Sequence, residues 1–185
     1  MDQPIFNADS DERAKPRVLI VEPNRNYLGL LARRIAQAGY RVATADSAQS
    51  AFAEMHRMPP DAVVSELTMK GTGGVELVRM VREDAVHHDL PLIMIGGKRE
   101  AVAAINALRA GADDVVRKPF DFDVLIARIA RQIARAEAVR RLRDDNATLD
   151  ARIVQRAITL GELRDRLHAS EAERRRLQTL VRQSA

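Results

Sequence analysis

The chain has 185 residues, 46% of them hydrophobic, which suffices for one domain of ordinary size plus an extension. It contains no cysteine, which excludes disulfides, thiolate metal sites and cysteine nucleophiles together. Its formal charge of +4 is modest, no apolar run approaches the roughly 20 residues of a membrane helix, and the acidic start lacks the form of a signal peptide; a cytoplasmic protein with no membrane partner is expected.

Residues 1–15 (MDQPIFNADSDERAK) are polar without period and predict a disordered leader. RVLIVE, 17–22, is a β-branched apolar run and predicts a strand. Asn24 can cap a helix over 25–38, with Leu28, Leu31 and Ile35 on one face and Gly39 ending it. Tyr40 to Ala45 predicts a second strand. Ser47 then caps a helix to about Arg57, stopped by Pro59 and Pro60.

Asp61 to Leu67 predicts the third strand, and Gly73 to Arg82 the third helix, with Val75, Leu77, Val78 and Val81 inward. PLIMI, 91–95, is the fourth strand, followed by a helix from about Lys98 to Ala110 that Gly111 stops. Asp113 to Arg117 is the fifth strand. Lys118-Pro119 breaks it, and Asp121 opens a long final helix.

Five apolar strands alternating with five helices predict an α/β fold, a doubly wound parallel sheet buried on both faces. In such a sheet ligands sit beyond the carboxyl ends of the strands. The residues there are Glu22-Pro23, Glu66, Gly96-Gly97 and Lys118-Pro119.

RVLIVEPN, PDAVVSELTMKGTGGVEL, PLIMIGG and above all GADDVVRKPFD resemble the receiver domain of bacterial two-component response regulators. The resemblance covers residues 16 to about 135 and implies the five-stranded, flavodoxin-like receiver fold. In that family an aspartate ending the third strand accepts a phosphoryl group from a histidine kinase. Two acids after the first strand help it hold Mg2+. A Thr or Ser after the fourth strand and a lysine after the fifth grip the phosphoryl oxygens. Mg2+ and the ammonium neutralise charge that develops on the transferring group.

Carried over residue by residue, the resemblance puts Glu66 at the acceptor position. Glu22 keeps one acid of the pair and Pro23 supplies none. Gly96 stands at the hydroxyl position, and Val115 where an aromatic residue usually reports activation. Lys70 and Gly73 also depart from the loop's usual pattern. Lys118 and Pro119 are as the family has them.

Glu66 therefore admits two functional readings. As a phosphoryl acceptor it would attack from a position one methylene further out, and misplacement of about 1 Å can cost a hundredfold. Mg2+ would have one carboxylate fewer and is expected to bind weakly or not at all. Alternatively Glu66 reaches the Lys118 ammonium and forms a charge-assisted hydrogen bond, filling the site without phosphate. A salt bridge retained only because losing one partner strands the other predicts the same pair.

Other candidates rank lower. Ser65 points to the opposite face from Glu66 by strand alternation. His87 and His88 lie in a polar loop where surface histidines are the plainer reading and a metal site would need more ligands. Gly71, Gly73 and Gly74 read as turn glycines, since no P-loop lysine motif follows. No catalytic residue and no resident metal is predicted.

From Val139 the apolar positions fall into a heptad. Its seam is Val139, Leu142, Asn146, Leu149, Ile153, Leu160, Leu163, Leu167 and Leu177, with Arg156, Ser170 and Arg174 weakening it. Residues 136–185 thus predict a coiled-coil helix, and Asn146 at a core position favours a parallel homodimer. Upstream, Ile126, Ile129, Ile133 and Ala136 read as the face turned to the sheet. The tail is Arg-rich, with 14 Arg against 8 Asp+Glu in residues 124–185 and no aromatic residue there. It offers no stacking platform, and nucleic acid is not the expected partner.

These features predict a non-enzymatic signalling protein of the response-regulator type with a degenerate receiver, acting by dimerisation and by binding other signalling proteins. A conventional phosphoryl-accepting receiver is one alternative. DDNATLDARIVQRAITLGEL also resembles connectors in cyclic-di-GMP signalling proteins, which leaves open a receiver and dimerisation front end for a longer enzyme.

Overall fold

A computed structural model describes residues 15–71 and 73–183. The expected leader falls almost wholly outside them. The chain divides into two units between Glu137 and Ala138.

In the first unit the order is β1 (Arg17–Val21), α1 (Arg25–Gln37), β2 (Arg41–Ala45), α2 (Ala48–Arg57), β3 (Ala62–Glu66), α3 (Gly74–Glu83), β4 (Leu92–Gly96), α4 (Ala101–Ala110) and β5 (Asp114–Arg117). The last helix, α5, is Phe122–Gln183. All strand pairs are parallel, in the order β2-β1-β3-β4-β5. This is the α/β receiver-type fold.

Strand alternation divides the core in two. Val18, Ile20, Val64, Ile93 and Ile95 pack with Leu31 and Ile35 of α1 and Leu125, Ile129 and Ile133 of α5. Leu19, Val21, Val63, Leu92 and Met94 pack with α2, α3 and Ala107 of α4. Both faces are covered, so the strands read as unbroken apolar runs.

Two local expectations shift. Helix α4 begins at Ala101 rather than Lys98, because Gly97 to Glu100 close a turn in which Glu100 N donates to Gly97 O and Glu100 Oε2 accepts from Gly97 N. The buried face of α5 is Leu125, Ile129 and Ile133, at four-residue spacing, and Ile126 lies half-buried beside it.

In the second unit Val139, Leu142, Leu149, Ile153, Leu160, Leu163 and Leu167 are all exposed in the single chain, and Asn146 with them. The side chain of Leu177 lies outside the described residues. No helix among the described residues is long and apolar enough to cross a membrane.

Candidate functional site

The sheet's hydrogen-bond ladder runs past the strand ends and fixes where each loop begins. Glu22 N donates to Ala45 O at 3.0 Å, Leu67 N to Ile95 O at 2.7 Å, and Lys118 N to Gly96 O at 2.8 Å. Glu22, Glu66 and Lys118 are therefore delivered to one edge by main-chain geometry, independent of their side chains.

There the Lys118 ammonium donates to Glu66 Oε2 and lies 3.8 Å from Glu22 Oε2. Glu22 is buried; its Oε1 accepts from Asn24 N at 2.8 Å, while Oε2 has no hydrogen-bond partner. Asn24 in turn caps α1 by accepting from Asn26 N and Tyr27 N. Tyr27, which the sequence did not single out, carries the Lys118 ammonium 4.3 Å from its ring centroid. Burial pushes the Tyr27 phenol above its ordinary range, with the Glu66 and Glu22 carboxylates adding to the rise.

Burial raises the Glu66 carboxyl to about 7; Lys118 pulls it back only in part, and the neighbouring Glu22 carboxyl adds to the rise. The carboxyl therefore titrates near neutral pH.

Pro23 is exposed and brings no donor. Gly96 ends β4, and a Cβ added there would stand 2.8 Å from Leu67 Cδ2 and 3.0 Å from Glu100 Oε2. The Gly97 N–H beside it is taken by Glu100 Oε2 at 2.6 Å. Glu100 is a second residue missed by sequence reasoning, since its role depends on a turn that no spacing announces. Val115 is half-buried and opens onto a shallow cleft with Ile105, Leu108 and Val124. Pro119 follows a cis peptide bond.

The loop after β3 holds its shape through two glycines. Gly71 has φ +76°, and a Cβ on Gly74 would meet Glu66 O at 2.5 Å. Lys70 is exposed on this loop. Ser65 is fully buried, its hydroxyl donating to Glu66 O at 3.0 Å, away from the carboxylate cluster. His87 is buried, contrary to the expectation of a surface histidine, because Asp84 folds the turn back over it; His88 is exposed.

A parallel sheet in this strand order, with an acid ending β3 and Lys-Pro after β5, defines a receiver-type signalling domain. A family model for the response regulator receiver domain matches residues 18–130, and the chain belongs to that family. One curated relative is the C4-dicarboxylate transport transcriptional regulatory protein DctD of Pseudomonas aeruginosa, 34% identical over 168 residues. The match covers 91% of this chain and 34% of that protein. Another is the phosphate regulon transcriptional regulatory protein PhoB of the same organism, 33% identical over 118 residues, covering 64% of this chain and 52% of that protein. The chain thus spans a third to about half the length of these relatives. Among solved structures, the receiver domain of NtrX from Brucella abortus is similar with a TM-score of 0.60 and 29% identity, covering 63% of this chain and 98% of that one.

Proposed function

We propose that this response-regulator receiver works without phosphorylation, dimerises through its C-terminal helix and signals by binding other proteins. The observation that carries the reading is the Lys118–Glu66 bond: the ammonium that would grip a phosphoryl group is engaged by the side chain at the acceptor position. Glu100 supports it from the other side of the pocket by holding the Gly97 N–H. Both donors are satisfied by carboxylates of this chain.

The donor set also argues against a resident Mg2+. That ion wants near-octahedral oxygens at about 2.0–2.1 Å. Here Pro23 supplies none, and Lys118 lies against oxygens of both Glu66 and Glu22. Exposed Val102, Ile105, Leu108 and Val124 on α4 and α5 offer an apolar surface to a protein partner. The exposed seam from Val139 to Leu167, with Asn146 at a core position, supports a parallel homodimer.

Incubation with acetyl phosphate and Mg2+, followed by intact mass measurement, tests the reading. The expected result is an unchanged mass. A stoichiometric phosphoryl adduct on Glu66 would overturn it.

A further inference from the structure

The apolar seam of α5 is interrupted at one core position by a charge. Val139, Leu142, Leu149 and Ile153 precede it, and Leu160, Leu163 and Leu167 follow it in the same register. Counted from Val139, that register puts Arg156 at core position d, between Ile153 and Leu160. Helix α5 is unbroken from Phe122 to Gln183, so the backbone does not shift the phase. Moving the layer to Ala157 would need an inserted stutter, and the register is the same on both sides.

In a parallel pair the two copies of Arg156 face each other across the seam. Arg152, one turn earlier at edge position g, flanks the same layer. The usual counter-charge would be an acid three or four residues away on the same helix. Arg152 has Thr148, Leu149, Gln155 and Arg156 at those spacings, and Arg156 has Arg152, Ile153, Thr159 and Leu160. The edge pairs across the seam supply no acid either, since Arg152 meets Ala157 and Thr159 meets Arg164. Asp150 is two residues from Arg152, and residues at that spacing do not face each other. Asp150 and Glu162 each lie about 9 Å along the helix from Arg156.

Snorkelling carries the Arg156 guanidinium outward past Ala157, toward the edge that Arg152 of the other copy occupies. It meets more positive charge there. Arg174, the other charged core position, differs in having Glu171 three residues before it. The layer at Arg156 thus gathers guanidiniums from both chains with no carboxylate of its own.

We infer that this layer binds a phosphate-class oxyanion between the two chains, held by both copies of Arg156 and flanked by Arg152. The guanidinium is a planar fork that meets oxyanions with two parallel N–H donors, which favours a polyvalent oxygen acid over chloride. The site is complete only when two chains meet, so it rests on the parallel homodimer, and its occupancy tightens that dimer. None of its residues belongs to the Glu66 pocket.

Sedimentation velocity of the full chain tests the site, with inorganic phosphate raised against chloride at constant ionic strength. The dimer dissociation constant should fall about tenfold when phosphate reaches about ten times its own dissociation constant. Arg156→Leu should give a tighter dimer that phosphate leaves unchanged, whereas Arg174→Leu should keep the phosphate response. A dimer whose strength ignores phosphate, or a response that survives Arg156→Leu, would overturn this site and leave the homodimer standing. A chain monomeric at every phosphate concentration would overturn the homodimer and the site together.

Discussion

Glu66 ends β3 and Lys118 follows β5, and they meet as donor and acceptor at the carboxyl edge of the sheet. Glu22 stands 3.8 Å from the same ammonium, so one cation serves two carboxylates. Removing the cation leaves two carboxylates facing each other, and this is the more damaging way to break the cluster.

Lys118→Met should therefore destabilise the fold, but by less than the roughly 3–5 kcal/mol of breaking a fully buried ion pair, because the Lys118 side chain is 32% exposed and Glu66 can take up a proton once the cation is gone. Glu66→Gln should cost less, because Lys118 keeps Glu22. The double variant Glu66→Gln, Lys118→Met should recover part of the loss. Urea unfolding measures all three, and a neutral Lys118→Met would contradict this account of the cluster.

The Glu66 carboxyl gives a pH dependence with a definite sign. Its ordinary value is 4.5, and in the fold it is raised to about 7. Between those values the folded chain holds more protons than the unfolded one, so stability falls as pH rises through that window. Thermal unfolding at pH 5 and pH 8 should show this decline, and Glu66→Gln should flatten it. Equal slopes in the two proteins would assign the effect elsewhere.

Restoring a hydroxyl beside the pocket should be costly. In Gly96→Thr the new Cβ meets Leu67 Cδ2 at 2.8 Å and Glu100 Oε2 at 3.0 Å, so overpacking should destabilise by about 1–3 kcal/mol. Adding Leu67→Ala and Glu100→Ala removes both obstacles. That background, with Glu66→Asp and Pro23→Asp, is the one in which acetyl phosphate should begin to label the chain. Labelling by Glu66→Asp alone would show that the acceptor's length was the sole barrier.

The exposed seam of α5 predicts self-association. Leu149→Arg or Leu163→Arg places a charge in the stripe and should convert a dimer to a monomer in light scattering at micromolar concentration, with the first unit's unfolding unchanged. A wild-type chain already monomeric there would end the dimer reading. Asn146→Val should tighten association while weakening the preference for a parallel pair.

Much of the fold is readable because its signals are local. The apolar runs 17–22 and 61–67, the cap at Asn24 and the stop at Gly111 each predict an element within a residue or two of its observed end. Strand ends also place Glu22, Glu66, Gly96 and Lys118 on one edge. What escaped depends on contacts between distant segments. Tyr27 matters only because α1 brings its ring under Lys118, and Glu100 only because a four-residue turn aims it at Gly97 N. Burial of His87 likewise follows from the turn that Asp84 closes. On α5 Leu125 rather than Ile126 is the innermost residue, one position earlier along the helix than the periodicity predicts.

The main-chain bonds that continue the ladder to Glu22, Leu67 and Lys118 act as a jig. They hold the roots of three loops at set spacings whatever side chains those positions carry. The side chains at this rim can thus be exchanged one residue at a time without re-machining the frame beneath.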